Sequence, residues 1–100
     1  MTRLVDVAQK IRSKNAGPFW LTIDIFCGDA ERFERVRAGL DTQHVAALFR
    51  IPSQTLKRFD IADLNTIKLS LPRPNIQGMP ADRDMHGASF ANLLMEIEGF

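Results

Sequence analysis

The sequence predicts a small α+β domain: a ferredoxin-like βαββαβ antiparallel sheet with helices on one face, preceded by a short N-terminal helix. Three observations carry that prediction. The segment Trp20 to Cys27 alternates strictly between an apolar and a mixed face, the period of a half-buried strand. Two helical patterns then separate it from a pair of further strand segments joined by a short link, so the middle of the chain reads strand, broken helical crossover, hairpin. At 100 residues, 45% apolar and 25% charged, the chain can build one hydrophobic core but not two, so residues 1 to 100 form a single domain.

Along the chain, Leu4, Val7, Ala8 and Ile11 fall at the i, i+3, i+4, i+7 spacing of one helical face, with Thr2 placed as a cap and Lys10 and Arg12 near the end. This predicts a helix over residues 3 to 11. Arg12-Ser13-Lys14-Asn15-Ala16-Gly17-Pro18 shows no periodicity and reads as a polar loop. In the strand that follows, Leu21, Ile23, Ile25 and Cys27 share one face and Trp20, Thr22, Asp24 and Phe26 the other. Gly28 breaks it, and Asp29 is placed to cap a helix burying Ala30, Phe33, Val36 and Leu40, with Glu31 and Arg35 at a favourable separation and Gly39 at its end.

A second helix, Thr42 to Phe49, uses Val45, Leu48 and Phe49 and must stop near Pro52. Thr55 to Ile61 and Asn65 to Leu71 form the hairpin. Pro72-Arg73-Pro74 ends it, and the stretch to about Met85 is a surface loop rich in Pro, Gly, Asp and Arg. A helix from His86 to Leu93 and a strand from Leu94 to Glu98 complete the pattern, against a competing reading of one final helix with no fourth strand.

Composition excludes several classes of function. A formal net charge of +1 supplies no field for nucleic acid or an anionic membrane. Apolar runs such as Phe19 to Leu21 last three residues, against roughly 20 for a membrane-spanning helix. Asp6, Gln9 and Lys10 interrupt any secretory signal, and the single Cys27 fits a reducing compartment, so a cytoplasmic protein is expected.

Two polar groups could carry chemistry. Arg12, Ser13, Lys14 and Asn15 combine a planar guanidinium, a point charge, a hydroxyl and an amide, a set suited to a carboxylate or phosphate. The competing reading is a solvated helix end whose cations complement the dipole. The second group is Arg73, Asp82, Arg83, Asp84 and His86. Asp82, Asp84 and His86 stand at every second position, so in an extended segment they supply oxygen and imidazole donors for a divalent metal. Salt bridges to Arg73 or Arg83 compete with that use, no HExxH or CxxC cluster accompanies it, and no cofactor is predicted. Asp84 and His86 are the candidates for general acid or base work. Cys27, on an apolar face, reads as a small buried hydrophobe rather than a nucleophile.

The run Ile11-Arg12-Ser13-Lys14-Asn15-Ala16-Gly17-Pro18-Phe19, followed by Leu21-Thr22-Ile23-Asp24-Ile25, resembles a family of small bacterial and fungal proteins catalogued as domain of unknown function four-three-eight-seven. The resemblance extends through Ile51-Pro52, Pro72-Arg73-Pro74 and the Asp-x-x-Gly of Asp84 to Gly87. The chain is also similar, more distantly, to the ferredoxin-fold domain found with acyclic terpene utilisation proteins, whose RSGDKG loop aligns on Arg12 to Gly17. Here Lys14 and Asn15 replace its Gly-Asp pair, and Ala16 replaces its lysine.

The resemblance implies a larger partner of the acyclic-terpene-utilisation type and a place in acyl-chain or organic-acid catabolism. It also implies that Arg12, Ser13, Lys14, Asn15, Arg73, Asp84 and His86 form one functional surface. The expectation is therefore a small accessory subunit that binds an anionic ligand, a carboxylate or acyl thioester, together with that partner. The alternative is a homo-oligomeric lyase or hydratase in which His86 or Asp84 is the base and Arg12 and Lys14 hold a substrate carboxylate.

Overall fold

The computed structural model describes residues 2–17, 19–72 and 94–100. Among them the elements are α1 (Leu4–Val7), β1 (Lys10–Asn15), β2 (Trp20–Phe26), α2 (Ala30–Gly39), α3 (Thr42–Leu48), β3 (Lys57–Ile61) and β4 (Thr66–Pro72). The sheet is antiparallel throughout, in the order β1-β2-β4-β3. The α+β class, the four-stranded antiparallel sheet and the leading short helix are as the sequence predicts, and the arrangement is compatible with a ferredoxin-like fold.

β2, the two helices and β3 form a split crossover: β4 lies between β2 and β3, antiparallel to both. The edge position beside β2 is filled from an unexpected part of the chain. The sequence reading made Leu94–Glu98 the fourth strand; in the structure Lys10–Asn15 supplies it, beside β2. The first helix accordingly stops at Val7 instead of running to Ile11, and the polar segment read as a loop is the hairpin partner of β2. Gly17 makes the turn with φ +87°, and the Ala16 N–H donates to the Trp20 carbonyl at 2.9 Å.

Among the described residues, the segment after residue 93 does not join the sheet. Leu94 and Met95 are helical, Leu94 is wholly buried, and the Ile97 carbonyl accepts from the Leu4 N–H at 2.7 Å. Glu98 forms only an isolated bridge with Arg3. The expected surface loop to Met85 and the helix from His86 to Leu93 lie outside the described residues.

One face of the sheet is the core. Ile11, Leu21, Ile23, Ile25, Cys27, Ile67, Leu69 and Leu71 pack with Leu4 and Val7 of α1, Phe33 and Val36 of α2, Val45 and Ala46 of α3, and Leu94. Burial of this kind dominates the stability of a domain of this size. Each long helix starts where an aspartate accepts a backbone N–H: Asp29 from Arg32 at 2.8 Å and Asp41 from Gln43 at 2.9 Å.

The expected Glu31–Arg35 pair is not formed. Glu34 pairs with Arg37, while Arg35 donates to the Phe100 carbonyl at 2.6 Å. Arg58 ties β3 to the end of α2, donating to the carbonyls of Leu40 at 2.6 Å and Arg37 at 2.8 Å while pairing with Asp60. A cation at a helix C-terminus is favoured by the helix dipole.

Candidate functional site

Strand alternation divides the cationic segment. In β1, Ile11 and Ser13 are buried toward the helices, whereas Lys10, Arg12 and Lys14 are exposed on the opposite face. Asn15 shares the inward face by register. The sequence reading placed Arg12, Ser13, Lys14 and Asn15 in one cluster; the structure brings Arg12 and Lys14 together, about 7 Å apart along the strand, and turns Ser13 and Asn15 to the other side. Arg73, Asp84 and His86, with Asp82 and Arg83, lie outside the described residues.

The register assembles the face opposite the helices in rows. Lys10 lies beside Phe26, then Thr66 and Ile61; Arg12 beside Asp24, then Lys68 and Phe59; Lys14 beside Thr22, then Ser70 and Lys57. Five cations, Lys10, Arg12, Lys14, Lys57 and Lys68, therefore share this face with one carboxylate, Asp24. None of the five forms an ion pair with a described residue. A net charge of +1 thus conceals a segregated distribution, since the acidic side chains of the described residues lie mostly elsewhere.

Aromatic rings border the cations. Trp20 is 40% and Phe59 50% exposed, and Phe26 is half-buried. At the centre Thr22 is 8% exposed, and its Oγ1 is buried without a hydrogen-bond partner. Such a hydroxyl costs on the order of 1–3 kcal/mol while it stays unpaired.

A cavity of about 540 Å³ opens at one corner of this face, lined among the described residues by Gln9, Lys10, Arg12 and Phe26. That volume lies in the range of small-molecule sites. Two cations, an amide and an aromatic ring there can bind an anion, the ring covering the part of the ligand that carries no charge. A second cavity, about 260 Å³, is lined by Val5, Ala8, Gln9, Lys10, Ile11 and Met95.

Of the described residues assigned from sequence, only Arg12 lines the larger cavity. Gln9, Lys10 and Phe26 were missed, because Lys10 was read as a helix end and Phe26 as the mixed face of a strand with no known neighbour. The signal was present in the alternation of Lys10, Arg12 and Lys14, but a single apolar residue, Ile11, marked the buried side. Among the described residues no group of three or more His, Cys, Asp or Glu is placed to hold a metal, and no helix is long and apolar enough to cross a membrane.

A family model described as Domain of unknown function (DUF4387) matches residues 4–98. No curated protein and no solved structure matches the chain.

Proposed function

The chain belongs to the DUF4387 family, and from that premise we propose that it is a small, partner-dependent module that binds an anionic ligand, a carboxylate or acyl thioester, at the cavity of Gln9, Lys10, Arg12 and Phe26. The observation that carries this reading is the cationic face, with no ion pair among the described residues, whose Lys10 and Arg12 wall a ligand-sized cavity. An incoming anion gains charge-assisted hydrogen bonds from those side chains without displacing a carboxylate of the described residues.

The partner in this proposal is a larger acyclic-terpene-utilisation-type protein acting in organic-acid or acyl-chain catabolism. Its support is the resemblance of Arg12 to Gly17 to the domain that accompanies such proteins. The exposed rings of Trp20 and Phe59 favour a covered face, since aromatic residues are enriched where proteins meet.

Titration of the isotope-labelled protein with butanoate tests the ligand half. The expected outcome is that backbone amides of Gln9, Lys10, Arg12 and Phe26 shift, and that Arg12→Ala weakens binding by about 10-fold or more, the scale of one lost charge-assisted hydrogen bond. Lys57→Ala, at the far edge of the sheet, should leave the affinity unchanged. Equal affinity in Arg12→Ala sinks the assignment. Co-expression with the larger protein, purification through a tag on this chain and light scattering test the partner half: a stable hetero-complex supports it, and a lone monomer or homo-oligomer counts against it.

A further inference from the structure

The two cavities differ in character and share a wall. The larger is cationic and aromatic; the smaller is lined by Val5, Ala8, Ile11 and Met95, with Gln9 and Lys10 common to both. They meet at the start of β1, which has no strand neighbour on its outer side among the described residues. A ligand spanning the two cavities at Gln9 and Lys10 has its charged group beside Arg12 and its remainder against apolar side chains.

We infer that the site takes an amphipathic anion, with a carboxylate or thioester-linked anionic head at Lys10 and Arg12 and an unbranched acyl chain in the Val5–Ala8–Ile11–Met95 cavity. This rests on the proposed anion site and specifies the class of its ligand. Lys10 suits the junction, because its aliphatic stem lies along apolar surface while its ammonium reaches the head group. Met95 suits the chain, since an unbranched thioether adapts to a flexible neighbour. Val5 is 38% exposed, an aliphatic side chain left partly in water that a bound chain would cover.

A cavity of about 260 Å³ holds a short chain, not a long one. Affinity for unbranched carboxylates should rise with length and then stop. The test is calorimetric titration of the intact chain with acetate, butanoate, hexanoate and octanoate. Each methylene that enters apolar surroundings should raise the affinity about fourfold, with a plateau once the cavity is filled. Val5→Asp, at a position exposed enough to fold normally, should flatten the dependence on length; circular dichroism checks its fold. Met95→Ala should move the plateau to a longer chain.

An affinity independent of length in the unmodified protein, or a length dependence that Val5→Asp leaves intact, overturns the acyl-chain assignment. Failure of the underlying anion site has a different signature: acetate affinity that does not respond to Arg12→Ala.

Discussion

Cys27 follows β2 directly and is fully buried, its N–H donating to the Asn65 carbonyl at 2.9 Å. Burial pushes its thiol up from the ordinary range, and the Asp29 carboxylate adds to the shift. A raised pKa means a smaller thiolate fraction, so the residue nearest in type to a nucleophile is held in its unreactive form. The same shift makes stability depend on pH. The unfolded chain loses the thiol proton near about pH 8.5, whereas the folded chain retains it to higher pH. The contribution is complete below that point and is lost as pH rises through the folded value, with a slope of at most about 1.4 kcal/mol per pH unit. Urea unfolding of the native protein and of Cys27→Ala between pH 7 and 10 should give a difference in stability that is constant up to about pH 8 and shrinks above it. A difference that grows with pH would contradict the burial argument.

At the scale of the element, β1 decides both the fold and the site. Its sequence, Lys-Ile-Arg-Ser-Lys-Asn, has one apolar residue on the buried face, and the other inward positions are polar. Among the described residues β1 pairs on one side only, and a strand in that position tolerates polar inward residues, with lysines at its outer side guarding against association. Hydrogen exchange should therefore show an alternating pattern over Lys10–Asn15, slow for amides directed at β2 and fast for those directed to solvent. Uniformly fast exchange across all six would return the segment to a loop. β2 and β4 were legible because the core side of each carries an unbroken series of large aliphatic residues, and α2 because Asp29 and the spacing of Phe33, Val36 and Leu40 agree. β1 was not, because periodicity is read from apolar residues, and Ile11 fits a helix with Leu4, Val7 and Ala8 as well as it fits a strand. That one ambiguity misplaced Lys10, hid the division of Arg12 and Lys14 from Ser13 and Asn15, and left an edge of the sheet free for Leu94–Glu98 in the sequence reading. No local pattern could place Lys57 and Lys68 on the same face as Arg12 and Lys14, since that arrangement depends on β4 entering between β2 and β3.

Across the whole molecule, residues 2–4 and 97–100 close over the helical side together. The N–H groups of Gly99 and Phe100 donate to the Thr2 carbonyl at 3.0 and 3.2 Å, Arg3 pairs with Glu96, and Arg35 of α2 holds the Phe100 carbonyl. The contact that tests this closure is at Gly39. A methyl group there would lie 2.9 Å from the Phe100 ring and 3.3 Å from the Gly99 carbonyl oxygen. Two effects of opposite sign then compete in Gly39→Ala. Helix propensity favours alanine over glycine by up to about 1 kcal/mol, while forcing a methyl into filled space costs about 1–3 kcal/mol. With Phe100 in place the steric term should win, so Gly39→Ala is expected to lower stability by roughly 1 kcal/mol. In a Phe100→Ala background the ring is gone, the helix term remains, and the same substitution should be neutral or stabilising. Urea unfolding of the four proteins gives a coupling energy between residues 61 positions apart in sequence. A large coupling with that change of sign requires the residue 97–100 segment to be seated on α2 in solution, and additivity would show that the two do not touch.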